Sequence, residues 1–269
     1  YDRELTQDEI TRMYNTYYSP NRIANGNFAQ IGNEEITNGD FASDTWWGKD
    51  ASWTISGGSA NSNGSGTIYK GGVLTIGKTY KVTVDISAYT SGSVTYPNAS
   101  YTLPTSTGTY TFYYTAASQT VSFSGTSFIG SIDNVSVKEV GQHWTFGTGW
   151  STDGTNLLST NSAQYVSANQ NVAGITLGKT YKTTINVNSI SGGYIIKFGS
   201  SGTVYALSSG LNTINAVWDG SNNGLAIYNN TSSTGNISID YIVIQELKHD
   251  ATNLMLNAGA YQSANPLIT

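Results

Sequence analysis

The sequence predicts an all-β chain: two tandem antiparallel β-sandwich modules behind a short N-terminal helix. Three observations carry this prediction. Beyond Pro20, short segments of alternating polarity are separated by clusters of Gly, Asn and Ser. Two stretches of sequence recur in the same order about a hundred positions apart. A helical pattern is confined to the first 18 residues.

The helix comes first. Thr6-Gln7-Asp8-Glu9 reads as a capping box, with Leu5 and Ile10 as its hydrophobic staple. Ile10, Met13 and Tyr14 share a face at helical spacing, and Pro20 ends the pattern. The strands follow: Ser52–Ile55, Gly72–Ile76, Lys78–Ser87, Thr109–Thr115, Thr120–Ser124 and Ser131–Val137. In the third of these, Val82, Val84 and Ile86 alternate with Thr83 and Asp85, the pattern of a strand with one buried face. Many short strands punctuated by turns indicate a sandwich or barrel.

The repeat divides the chain. Leu74-Thr-Ile-Gly-Lys-Thr-Tyr-Lys81 returns as Ile175-Thr-Leu-Gly-Lys-Thr-Tyr-Lys182, and Ile132-Asp-Asn-Val-Ser-Val137 as Ile239-Asp-Tyr-Ile-Val-Ile244. Gly77 and Gly178 are expected in tight turns at positive φ, and Tyr80 and Tyr181 in core strands. The expected boundaries are 1–21 for the helical segment, 22–141 and 142–248 for the modules, and 249–269 for the start of a further module or a linker. Asn25-Gly-Asn-Phe28 partly anticipates Asn38-Gly-Asp-Phe41.

Composition narrows the function. Only 11% of residues are charged, and the net charge is −5 with no basic stretch, which argues against nucleic acid. No apolar run is long enough to insert in a membrane. There is no Cys, hence no disulfide and no thiolate metal site. Catalytic signatures are missing too: the sequence has neither a Gly-x-Ser-x-Gly elbow nor His-Glu-x-x-His. His143 and His249 fall in expected links, and Asp85, Asp219 and Glu139 are scattered without a local motif. A non-enzyme is expected.

Several segments resemble known families. Asn38-Gly-Asp-Phe41, Trp46-Trp47, Trp53-Thr-Ile-Ser56, the Leu-Thr-x-Gly-Lys-Thr-Tyr segment and Ser131-Ile-Asp-Asn-Val-Ser-Val137 resemble carbohydrate-binding modules of the family 4/9/22 type. In the second module, Trp144-Thr-Phe-Gly-Thr-Gly-Trp150 stands in place of that opening. The resemblance implies jelly-roll topology and extends to repeated modules of bacteriophage tail-fibre and other virion surface proteins. Tyr1, Arg3, Leu5, Thr6, Glu9, Ile10 and Tyr14 resemble the closing helix of a laminin-G-like, concanavalin-like domain. Ala251-Thr-Asn-Leu-Met-Leu-Asn257 reads as another opening strand.

The carbohydrate-module resemblance implies two kinds of site. A structural Ca²⁺ would draw on Asp40 and Asp133, with Asp240 matching Asp133 in the second module. The alternative is that these carboxylates cap turns. Glycan stacking would fall to Trp46, Trp47, Tyr96 and Tyr101, with Tyr194, Tyr205, Trp218 and Tyr228 as analogues. Asn98, Gln119, Asn222 and Asn223 are polar partners. The alternative for each aromatic is ordinary core or rim packing. The expected function is a non-catalytic virion structural or fibre protein of a bacteriophage, on the virion surface or extracellular, that binds host-surface glycans or other virion proteins. Competing readings are an accessory carbohydrate-binding region of a secreted polysaccharide-degrading enzyme and a bacterial surface adhesin. Fibres are often trimers, and edge strands of a low-charge sandwich can pair with neighbours, so a homo-oligomer such as a trimer is expected.

Overall fold

Residue 4, residues 6–200 and residues 202–248 are described by the computed structural model of the chain. Tyr1, Arg3 and Leu5 of the N-terminal motif, the side chains of Glu9, Met13 and Tyr14, His249 and the expected further opening at 249–269 lie outside the described residues. Among those described, α1 (Gln7–Tyr17) opens with the Ile10 amide bonded to the Thr6 carbonyl at 3.0 Å. Its end meets the residue two positions beyond the last described strand: Lys248 Nζ donates to the Asn15 carbonyl, and the Lys248 amide donates to the Tyr17 carbonyl.

The remainder is antiparallel β-structure. Eight strands belong to the first module: β1 (Ile31–Glu34), β2 (Gly48–Lys49), β3 (Trp53–Ser56), β4 (Ser59–Lys70), β5 (Thr79–Tyr96), β6 (Tyr101–Thr102), β7 (Gly108–Thr115) and β8 (Val121–Val140). They form one continuous sheet, not the two separate sheets of a simple sandwich. The reason lies in β4, β5 and β8, which bend through bulges and so contribute to both layers. Gly92 enables one bend: its φ is +79°, and a Cβ there would lie 2.1 Å from the Ser127 carbonyl oxygen. Thr120–Ser124 and Ser131–Val137 are accordingly two parts of β8. Gly72–Ile76 is a loop; only Leu74 of that segment is buried, and the amides of Val73 and Leu74 both reach the Gln119 carbonyl.

The second module has β9 (Thr145–Phe146), β10 (Trp150–Thr152), β11 (Leu157–Ser162), β12 (Ser167–Asn171), β13 (Thr180–Ser191), β14 (Tyr194–Phe198), β15 (Val204–Ala206), β16 (Gly210–Val217), β17 (Gly224–Asn229) and β18 (Gly235–Glu246). Here the two layers are separate five-stranded sheets, ordered β10-β11-β18-β13-β16 and β15-β14-β17-β12-β9. Inward side chains of both, such as Ile185 and Ile239 from one and Ile196 and Ile227 from the other, share one core. The repeated turns behave alike: φ is +84° at Gly77 and +81° at Gly178. Tyr80 and Tyr181 are buried, and their hydroxyls accept from the Thr75 and Thr176 amides at 2.9 and 2.8 Å.

The boundary expected at Arg22 is corrected by the packing. Ile23 and Phe28 are buried in the second core, not the first. The Arg22 amide bonds the Ile244 carbonyl, and the Ile242 amide bonds the Gly26 carbonyl at 2.8 Å. The buried Gln170 side chain exchanges two 3.0 Å hydrogen bonds with the Ala24 backbone. Residues 21–28 are therefore the opening of the second module, and the first module sits inside it, between Phe28 and Trp144.

The two openings match atom for atom. Gly26 lies under the Ile242 carbonyl as Gly39 lies under the Val135 carbonyl, with no room for a Cβ at either position. Phe28 packs on Trp144 at 5.5 Å, and Phe41 on Trp47 at 5.3 Å. Asn38 Oδ1 accepts from the Ser43 amide, and its Nδ2 donates to the Thr45 carbonyl. Asn25 does the same with the Gln30 amide and the Gln142 carbonyl. One side chain thus clamps both the entry and the exit of the inserted module. Trp144-Thr-Phe-Gly-Thr-Gly-Trp150 does not replace the Asn-Gly-x-Phe opening; it continues it.

Candidate functional site

Burial sorts the expected glycan-stacking residues. Trp47, Tyr96, Tyr194 and Trp218 are core side chains, so their assignment to a surface site is corrected. Tyr96 and Tyr114 share a 2.7 Å hydroxyl hydrogen bond inside the first module. Burial first, then the neighbouring Tyr114, pushes the Tyr96 hydroxyl far up, while that of Tyr114 is pushed up to about 12. The Tyr194 hydroxyl, also raised by burial, pairs with Ser159 Oγ. Trp46 and Tyr101 are half-buried: Lys70 Nζ sits 5.2 Å from the Trp46 ring centroid, and Tyr101 stacks on Phe112 at 4.4 Å. Tyr205 packs against Phe198. Asn98 bridges the Thr120 carbonyl and Ser118 Oγ, and the Gln119 carbonyl holds the 72–76 loop, so both brace loops.

A groove of about 370 Å³ lies on the second module, on the outward face of the sheet β15-β14-β17-β12-β9. Its floor follows from residue size. Ala226 is flanked across the strands by Asn169 on one side and Lys197 on the other, and Gly224 faces Asn171. Alternate positions share a face, so these small residues on β17 leave a trough between longer side chains on β12 and β14. Tyr228 and Tyr165 wall one end, with ring centroids 5.9 Å apart. Burial, then the adjacent Tyr165, raises the Tyr228 hydroxyl above its ordinary value. Asn222 and Ser200 border the other end.

Buried residues fix these walls. The Tyr165 ring is 65% exposed, on a backbone with φ of +64°. Its amide is tied to the Asn229 carbonyl at 2.9 Å, and the buried Asn229 side chain ties down Ser233 and Thr231. Trp218 Nε1 donates to the Asn222 carbonyl, so a core residue positions the far wall. Asn223 Nδ2 reaches the Val172 carbonyl.

The corresponding face of the first module is different. Its hydroxyls pair with one another: Thr67 with Ser124 at 3.0 Å, and Thr95 with Thr102 at 3.4 Å. Tyr69 lies over Gly48, where a Cβ would meet its ring at 2.7 Å.

The expected calcium ligands divide between the modules. Asp133 shares a neighbourhood with Asp85 and Asp40: its carboxyl is raised first by burial and then by those two charges, against the lowering effect of the Asn134 amide. Asp133 accepts from that amide, Asp85 from Asn134 Nδ2, and Asp40 from the Ala42 amide. Asp240 lies in the second module and accepts from Asn186 Nδ2. Asn27 stands where Asp40 does, accepting from the Ala29 amide. Among the described residues no three His, Cys, Asp or Glu side chains converge on a common point that would hold a metal. Each of these carboxylates accepts a hydrogen bond from a nearby amide group, as turn caps do.

Of the groove, sequence reasoning had named Tyr228 and Asn222. It missed Tyr165, Asn169, Asn171 and Lys197. The available signal was the alternation in Ser167-Ala-Asn-Gln-Asn171, where Ala168 and Gln170 point inward. With nothing apolar larger than Ala, that strand lacks the hydrophobic period that marks the others.

No family model matches the sequence, and no curated protein does. Among solved structures, the tandem CBM22-1–CBM22-2 domain at the N-terminus of Xyn10C from Paenibacillus barcinonensis is similar, with a TM-score of 0.31 and 10% identity over 80% of this chain and 98% of that one. The structure of Sulfolobus Turreted Icosahedral Virus is similar with a TM-score of 0.19 and 13% identity, over 70% of this chain and 57% of the viral one. An archaeal-virus structure described by its triple jelly-roll fold and turret assembly gives 0.19 and 15%, over 70% and 56%. The chain spans a little over half of each viral chain.

Proposed function

We propose that this chain is a non-catalytic, glycan-binding segment of a virion-surface or extracellular protein, and that the groove on the second module holds the glycan. The observation that carries this reading is the trough over Gly224 and Ala226, with two tyrosines at one end and amide side chains along it. Its volume is in the range of small-ligand sites. A pyranose lays its C–H face on Tyr228 or Tyr165, while Asn169 and Asn171 bond its hydroxyls. The first module, whose equivalent face pairs Thr67 with Ser124 and Thr95 with Thr102, acts as a spacer.

Paired β-sandwich modules suit a structural fibre such as a phage tail fibre. An accessory region of a polysaccharide-degrading enzyme or a surface adhesin would use the same groove. Affinity electrophoresis against a panel of soluble polysaccharides tests the assignment. The chain is retarded by at least one of them, Tyr228→Ala weakens that retention at least about tenfold, and Trp46→Ala leaves it unchanged. Retention that survives Tyr228→Ala and Tyr165→Ala together, or an equal loss with Trp46→Ala, removes the groove from the account.

A further inference from the structure

We propose that the groove selects glycans carrying a carboxylate, such as uronic or sialic acid residues, and that Lys197 is the residue that selects them; this rests on the glycan-binding reading above. Lys197 is the charged side chain among the groove's lining residues. It lies in the cross-strand row Asn169–Ala226–Lys197, in the β14 wall directly beside the Ala226 floor. Its neighbour on the other side is Val204. Neither neighbour offers a counter-charge.

The protein is acidic, yet no carboxylate pairs with this ammonium among the described residues. Arg22, Lys49, Lys78 and Lys138 each face a Glu or Asp, and Lys70 and Lys182 lie over the rings of Trp46 and Tyr18; Lys197 has neither kind of partner among the described residues. The smaller hollow on the first module holds Lys138, which faces Glu34 at 4.0 Å, and Lys81, for which no carboxylate partner is found among the described residues; it has no tyrosine wall.

A bound sugar covers a half-buried cation in this groove. A neutral glycan seated over Ala226 strips water from the ammonium and returns nothing of equal strength. A carboxylate returns a charge-assisted hydrogen bond, roughly twice as strong as a neutral one. Discrimination therefore comes as much from the penalty on neutral sugars as from attraction of acidic ones. Lysine presents a point charge on a flexible stem and accepts a single carboxylate oxygen without demanding bidentate alignment. The other polar walls are neutral amides and hydroxyls, so the site suits one acidic residue within an otherwise neutral repeat, not a polyanion.

The test is an array of bacterial and plant polysaccharides printed beside their carboxyl-reduced forms, probed with the full chain, Lys197→Gln and Lys197→Arg. The expected result is a preference for the acidic member of a pair. Lys197→Gln lowers acidic binding about tenfold and strengthens binding of the reduced form, and Lys197→Arg retains the preference. Equal binding to both members, or a preference that survives Lys197→Gln, overturns this inference while leaving the groove as a neutral-glycan site. If no polysaccharide in either form is bound, the glycan-binding reading itself fails and takes this inference with it.

Discussion

Tyr165 keeps its ring in solvent because its backbone is held in the left-handed region, which a bulky residue rarely adopts without support. The support comes from Asn229, fully buried beneath it, whose carbonyl receives the Tyr165 amide. Elsewhere single side chains carry unfavourable charge. The Asp133 carboxyl is raised by burial and by Asp85 and Asp40, so its ionised form costs stability in the folded state. The sign follows from linkage: a raised acid is a stabilising proton-binder below its folded pKa, and that contribution is lost as pH rises through it. Asp133→Asn, whose carbonyl still accepts from the Asn134 amide, is therefore expected to raise the thermal unfolding temperature at neutral pH. The gain should vanish in acid, where the parent carboxyl is protonated; differential scanning calorimetry at pH 7 and pH 3 checks both halves. Asp153 has the opposite sign, since hydrogen bonds from Thr155 and Asn156 pull it below its ordinary value despite burial.

Among the elements, the opening segment 21–28 is the one whose place in the fold is least obvious from its place in the chain. Phe28 is fully buried against Trp144, so Phe28→Ala leaves a cavity in the second core at a cost of about 3–5 kcal/mol. A two-transition calorimetric trace should show the second module melting earlier and the first unmoved. A shift of the first module's transition instead would contradict the insertion. The repeat read from the sequence located the paired strands, the turns at Gly77 and Gly178 and the inward Tyr80 and Tyr181, because each rests on local pattern. Insertion separates Phe28 from Trp144 along the chain, so no local window contains that opening whole. From sequence only the first half of β5 and two pieces of β8 are legible, and β4 is missed, because bulges reset the alternation of side chains where the chain crosses between layers. The groove was half-hidden for a different reason: β12 is polar on one face and nearly so on the other, since its inward residues are Ala168 and a Gln170 whose amide is spent on the Ala24 backbone.

At the scale of the molecule, one module nested in another joins the two through a pair of crossings instead of a single linker. Asn25 holds both crossings, and the Tyr113 ring of the first module lies against Gly154 of the second. Two crossings and this contact tie the modules at more than one point. The functional claim is that the outward face over Ala226 takes a sugar and that the equivalent face around Tyr69 does not. Backbone amide NMR on the isotope-labelled chain, titrated with an oligosaccharide from any polysaccharide that retards it, tests this most directly. Saturable shifts are expected at Asn169, Lys197, Ala226 and Tyr228, with the Thr67–Tyr69 amides unmoved. Shifts centred on Tyr69, or spread evenly over both modules, would contradict it.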